Sequence, residues 1–341
     1  MLQRLVRLSA FALLSLLLLG AGQSRAYAPE TGVWWNPAES GTGLILDLQD
    51  NFLAVSVFVG DTAGNPVWYT ATGFLTGNAR FDGTLDYFPG AQCIGCPYRP
   101  TNPQIGVGGP IRIDFNPQDP ARATLTLGGR VTQIERFRFY YKRPEDEQRL
   151  PGVSADLTRL MGEWSLTLDF SDASGQGDGS YFGDVLIFDF LDADQYGDFV
   201  DGCRPADSLS GFCSDTDLDL RYALGEYVAA EDTHVIVVEN SPTTYASYYL
   251  ALGSEVFSGE GAVYTRGTNP SGFVPLRGFR SASRTFVEEG TGPSVKSQRK
   301  AGPGLPLTAG AAQSKRAAAQ GALDAARQRL EAQLAARRAA Q

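Results

Sequence analysis

The chain has 341 residues, 38 of them acidic, 29 basic and one a histidine, for a formal charge of −9 at neutral pH. That charge is unevenly placed: residues 27–290 hold 36 acidic against 17 basic side chains, whereas residues 291–341 hold nine basic and two acidic ones. So acidic a body is a poor partner for nucleic acid, because phosphate binding draws on a basic surface, and the chain has no nucleophile elbow, phosphate loop or His-rich metal signature.

Arg4 and Arg7 precede an apolar run from Phe11 to Leu19, and Ser24-Arg25-Ala26 places small residues where a signal peptidase reads. Residues 1–26 are therefore expected to be a signal peptide. The uncharged run is about 15 residues long, short of the roughly 20 needed to cross hydrocarbon, and no later segment is long and apolar enough to span. The expected product is a soluble protein of the periplasm or the extracellular space, with no transmembrane anchor.

The stretch Gly32-Val33-Trp34-Trp35-Asn36-Pro37-Ala38-Glu39-Ser40-Gly41-Thr42-Gly43 then leads into the alternating run Leu44-Ile45-Leu46-Asp47-Leu48. This WWNPAESG-type opening resembles that of a family of exported bacterial proteins of uncharacterised function, over residues 32–143. The resemblance implies a small antiparallel β-domain. A Gly-x-Trp before a first strand also resembles the start of lipocalin-like and avidin-like barrels, where the indole closes one end. Gly32, Trp34, Trp35, Asn36 and Ser40 match the avidin-like pattern position by position, while Pro37, Glu39 and Gly41 depart from it. This likeness implies a ligand site in which Asn36 and Ser40 bond a carbonyl, within a mouth walled by Trp34, Trp35, Trp68 and Tyr69. The other reading of the same residues is structural: Trp34 plugs the barrel, Asn36-Pro37 makes a turn and Glu39 tethers a loop.

Apolar residues recur with period two over 43–48, 52–59, 67–73, 80–88, 111–115, 123–127 and 131–141, which predicts about seven short strands. Asp61-Thr62-Ala63-Gly64-Asn65-Pro66 and Gly128-Gly129 are predicted hairpin turns. Cys93-Ile94-Gly95-Cys96 lies in a loop bounded by Pro89-Gly90 and Pro97. In an oxidising compartment the four cysteines are expected to form two local disulfides, Cys93 with Cys96 and Cys203 with Cys213. A redox-active CxxC and a four-thiolate zinc site are the alternatives.

A linker over 144–161, marked by the polar, Pro- and Gly-bounded stretch from Lys142 to Gly152, is expected to join the first domain, residues 27–143, to a second over 162–288. The second opens on Gly162-Glu163-Trp164-Ser165, an echo of Gly32-Val33-Trp34, and predicted strands follow over 184–190, 218–224, 234–238, 245–252, 261–264 and 273–279. The fold class is all-β, with two tandem antiparallel barrels or sandwiches of calycin-like type. One long barrel built from both halves is the alternative. Between the predicted strands, Asp192, Asp194, Asp198 and Asp201 make an acidic loop able to supply the hard oxygens that Ca²⁺ prefers; a solvated loop pinned by the Cys203–Cys213 bridge explains it equally. No other cofactor is expected. His234, beside Val235-Ile236-Val237-Val238, reads as a structural strand residue.

Residues 289–308 form a Gly, Pro and Ser linker, and 309–341 a basic, Ala/Arg-rich tail, helical or disordered. Leu323, Leu330 and Leu334 share one face of such a helix, which fits a coiled coil or docking helix, although three leucines bury little area. Residues 27–290 are expected to fold without it. Altogether the sequence reads as an exported, non-catalytic binding protein of the bacterial envelope, its partner an unknown small molecule or envelope component. A structural or interaction protein is the alternative, and an enzyme acting on envelope glycans the weaker one.

Overall fold

A computed structural model of the protein describes residues 28–77, 79–90, 92–139, 142–171, 181–205, 213, 221–291, 305, 307, 308, 314 and 319–340. The expected signal peptide, 1–26, lies outside the described residues.

The first unit is a closed barrel of eight strands: β1 (Gly32–Trp35), β2 (Gly43–Gln49), β3 (Phe52–Gly60), β4 (Pro66–Phe74), β5 (Arg80–Tyr87), β6 (Gln104–Phe115), β7 (Arg122–Leu127) and β8 (Arg130–Arg136). Each strand pairs antiparallel with the next, and β8 closes the ring on β1. Side chains alternate across the pleat. Leu44, Leu46, Leu53, Val55 and Val57 are buried inside, while Ile45, Phe52 and Phe58 lie outside. Gly128 and Gly129 both adopt positive φ, +56° and +78°, as a tight two-residue hairpin turn requires. At the β3–β4 turn the Asp61 carboxylate accepts the backbone N–H groups of Ala63 and Asn65, each at 2.8 Å.

The second unit repeats the plan with β9 (Gly162–Asp169), β10 (Tyr181–Asp194), β11 (Gly197–Arg204), β12 (Arg221–Val228), β13 (Thr233–Ser241), β14 (Thr244–Leu252), β15 (Val256–Thr265) and β16 (Val274–Ala282), the last closing on β9. Two tandem antiparallel barrels are thus the architecture. The short helices are α1 (Pro144–Arg149), α2 (Ala155–Thr158) and α3 (Arg284–Glu289); the long one is α4 (Gln320–Ala340). Among the described residues no helix is long and apolar enough to cross a membrane.

Three sequence expectations need correction. Residues 192–201 are not a loop but the β10–β11 hairpin, with Asp194 opposite Gly197 in the register. The stretch 144–161 does more than link, because Val153, Leu157, Leu160 and Met161 are buried in the second barrel's core. Finally, of the tail's two readings residues 320–340 take the helical one, and that helix does not stand apart from the fold. α4 lies along β12 and β13, and Leu323, Leu330 and Leu334 pack with Leu224, Val237 and Tyr245 on the barrel's outer face. On that side the outer face of the second barrel is therefore covered by α4.

The barrels meet through the ends at which their first strands begin. The Glu30 carboxylate accepts the backbone N–H groups of Glu255 and Val256, Ser258 Oγ donates to the Gln118 carbonyl at 2.7 Å, Arg138 pairs with Asp156 at 3.1 Å, and Arg122 pairs with Asp232. Burial acts to raise the Asp232 carboxyl, but hydrogen bonds from Arg122 and Tyr227 and the nearby Arg138 outweigh it and hold the group at about 2, against 3.8 in the open. A carboxyl lowered on folding stabilises the fold above its open-chain value, and that stabilisation is lost as pH falls toward the folded value. Asp232→Asn is a mild replacement, since Asp232 sits at φ +43° and asparagine tolerates that region. In urea unfolding at stepped pH, the wild-type protein should lose stability relative to Asp232→Asn as pH falls from about 4 to about 2. Parallel curves would show that this contact contributes nothing.

Candidate functional site

Each barrel is closed at one end by the same device. Gly32 and Gly162 have φ of +113° and +119°, a region favourable only to glycine, and each turns the chain into the strand carrying Trp34 or Trp164. Both indoles are buried. Each donates to the carbonyl four residues earlier, Trp34 to Glu30 at 2.9 Å and Trp164 to Leu160 at 2.7 Å. Each meets a phenylalanine edge-on, Phe115 at 5.8 Å and Phe257 at 5.7 Å. An arginine from the last strand completes the closure, with Arg136 opposite Trp34 and Arg280 opposite Trp164. Arg136 donates to the carbonyls of Thr31, Val33 and Phe137; Arg280 donates to those of Met161, Arg159 and Ser254 and lies 4.1 Å over the Trp164 ring. Neither arginine was singled out from sequence. The available signal was an arginine beside a phenylalanine near the close of each unit, Arg136-Phe137 and Phe279-Arg280.

At the other end the first barrel has a cavity of about 160 Å³. Its apolar wall includes Val57, Leu125 and Ile134, and its rim Asn36, Thr42 and Thr132. The opening motif forms one side. Asn36 Oδ1 accepts the Ala38 N–H at 3.0 Å, the Asn36 carbonyl accepts the Glu39 N–H at 2.9 Å, and Glu39 pairs with Arg130 across the rim. The loop is therefore a turn held by its own polar groups, and Asn36 stands both in that turn and in the lining of the cavity.

The six candidate ligand residues do not all converge. Trp35 and Asn36 line the cavity. Trp34 closes the opposite end, and Ser40 is exposed on the motif's loop. Trp68 lies on the outer face, where it stacks on Phe88 with centroids 5.5 Å apart. Adjacent strand residues point to opposite faces, so Trp68 and Tyr69 cannot both face inward. Tyr69 does pack on the interior core and contacts Tyr87.

The four aspartates of the expected calcium site do not converge either. Asp192 shares its face with Phe199, whereas Asp198 shares the other face with Ala193. Asp194 is instead bound by Arg329 of α4, Nε to Oδ2 at 2.7 Å and Nη2 to Oδ1 at 2.5 Å, and Asp201 accepts from Gln333 at 3.4 Å. The hydrogen bond from Arg329 holds the Asp194 carboxyl below its usual value. Arg329 also pairs with buried Glu226 and lies 4.1 Å over the Phe199 ring. Burial raises the Glu226 carboxyl despite that partner. Among the described residues no group of three or more His, Cys, Asp or Glu side chains is placed to hold a metal. His234 is buried in β13, where Nε2 donates to the Asp156 carbonyl at 2.7 Å and ties the strand to α2.

Both cysteine pairs are local disulfides, Cys93–Cys96 and Cys203–Cys213, with Cα atoms 5.2 and 5.6 Å apart. Such bonds suit an oxidising compartment. Compared with known proteins, the chain matches no family model, no curated protein and no solved structure.

Proposed function

We propose that the protein is an exported, non-catalytic binding protein whose first barrel takes a small apolar group at its open end. The carrying observation is the cavity itself: an apolar wall with a few polar groups at its rim is the common form of a ligand site in a barrel mouth. Its volume of about 160 Å³ is below the roughly 300–1,000 Å³ of sites for drug-sized ligands. The ligand, or the part of it that enters, is therefore no larger than a single ring or branched chain. The Asn36 amide supplies a donor for an acceptor on that group, in line with the avidin-like reading of the opening motif. Export rests on the leader-like sequence of residues 1–26 and on the WWNPAESG-type opening, and the disulfides agree with it.

Benzamide, a ring with one carbonyl acceptor, is a suitable probe. In NMR titrations it should shift resonances of Val57, Leu125 and Ile134. Val59→Trp at the rim should abolish the effect, Asn36→Ala should weaken it several-fold, and Trp68→Ala on the outer face should leave it unchanged. Benzamide binding that survives Val59→Trp would remove the mouth as the site, and no shift at all would count against this ligand class.

A second reading is favoured by a separate observation. Ile94 and Tyr98, in the disulfide-bearing loop, and Ile105 and Val107, at the start of β6, are strongly exposed near this same end. Exposed apolar side chains grouped in this way suit a protein partner of the envelope.

A further inference from the structure

The two tryptophan-closed ends face each other, and between them lies a cleft of about 260 Å³. Arg136 and Arg280 both line it, joined by Arg143, Arg284, Thr285 and Glu255. Because Arg136 and Arg280 hold the same place in their respective barrels, setting one closed end against the other brings two equivalent guanidiniums to one cavity. Neither barrel alone has such a site.

Both of these guanidiniums donate to neutral backbone carbonyls, and each also lies within ion-pair distance of a carboxylate. These are Glu30 at 3.8 Å from Arg136 and Glu255 at 3.5 Å from Arg280. Arg143 and Arg284 are oriented differently. Glu288 binds both, at 2.6 and 2.7 Å, and Asp146 binds Arg284 through two oxygens at 2.6 Å. These acids offset part of the charge. They also hold the two side chains in place, so ordering them costs a ligand little. A guanidinium carries five N–H donors, and the bonds of Arg143 use only part of its set. Arg143 donates through Nη1 to Glu288 and through Nη2 to Thr285 Oγ1, with Nε outside both bonds. The wall thus presents four guanidiniums and a single carboxylate, in a chain whose residues 27–290 hold 36 acidic against 17 basic side chains, with Phe139 and Met161 as its apolar part.

We propose that this cleft binds a phosphate group, seated among Arg136, Arg143 and Arg280. A phosphate offers several oxygens to donors arriving from different directions, and arginine is the side chain best matched to it. An organic substituent on that phosphate has room beside Phe139 and Met161.

Calorimetric titration of the purified protein, with ionic strength held constant by chloride, tests the site using inorganic phosphate and phenyl phosphate. Saturable binding of at least one is expected. Arg143→Gln should weaken it tenfold or more, and Glu255→Gln, which removes the one carboxylate on the wall, should tighten it several-fold. Arg112→Gln, on the far side of the first barrel, should change nothing. Phenyl phosphate binding more tightly than phosphate identifies an ester as the ligand; equal or weaker binding identifies the free anion. A melting curve for each variant shows whether it folds, and Glu255, on an exposed turn, gives a variant that does not depend on Arg143. Absence of saturable heat with both anions, or affinities indifferent to Glu255→Gln and to a folded Arg143→Gln, would overturn the proposal.

Discussion

Trp34→Ala should cost the first barrel about 3–5 kcal/mol, the range for deleting a large aromatic side chain from a packed interior. The indole is fully buried, meets Phe115 edge-on and donates to the Glu30 carbonyl. Trp34→Phe separates two contributions, since it keeps most of the packing and leaves that carbonyl without its donor, at a cost of about 1–3 kcal/mol. Asn36→Ala and Ser40→Ala, two and six residues further on, should each cost far less, because Asn36 serves a surface turn and Ser40 is exposed. Urea unfolding of the four variants measures the contrast. A loss below about 1 kcal/mol for Trp34→Ala would mean that the indole does not close the barrel.

Arg329→Met should be comparably damaging to the second barrel, although the residue lies in a tail remote in sequence from it. Removing one member of a buried ion pair costs about 3–5 kcal/mol, because the charge left behind has neither water nor partner. Here the abandoned group is Glu226, buried in β12. The double variant Arg329→Met, Glu226→Gln should recover a large part of the loss, since two neutral side chains of similar size leave no buried charge. The penalty of the single variant should also shrink in acid. Burial already raises the Glu226 carboxyl, and without the guanidinium it rises further. The group then takes up a proton, and the uncompensated charge disappears. Calorimetric unfolding across a pH series checks both effects. If Arg329→Met melts like the wild type at neutral pH, α4 merely rests on the barrel.

Where one face of a strand is core and the other is water, the sequence shows it plainly. The alternation in β2 through β5, and the turns at Asp61 to Pro66 and at Gly128-Gly129, led directly to the observed hairpins. Reading failed where that contrast is missing. β1 has four residues, too few for a period to emerge, and in the sequence it is visible only as part of the opening motif. In β11 the inward Val200 sits beside Phe199, which faces the tail, so both faces are apolar and the flanking aspartates dominated the reading. Val235-Ile236-Val237-Val238 carried the same message more openly, because a strand apolar on both faces must be covered on both. The cover, Leu323, Leu330 and Leu334, was visible as a stripe, but nothing local connects it to a strand some 90 residues earlier. At the candidate site, the opening motif points to Trp35 and Asn36, which line the cavity. Trp68 was misplaced for want of a register, which pairs it with Phe58 on the outer face. Arg136 and Arg280 escaped because their partners are carbonyls, which leave no trace in composition.

The dependence of β12 to β14 on α4 also sets a timetable. Every strand of the first barrel is present once the chain has been made as far as Arg136, so that barrel can close while the rest is still being synthesised. The second has all its strands at Ala282, yet Tyr222, Tyr245, Tyr249 and Tyr264 have no complete cover until the helix that packs on them arrives. During that interval an aromatic surface faces whatever surrounds the nascent chain. The length of residues 283–319 thus becomes a delay, and a truncated product ending within it would retain both barrels' strands while displaying the surface most prone to association.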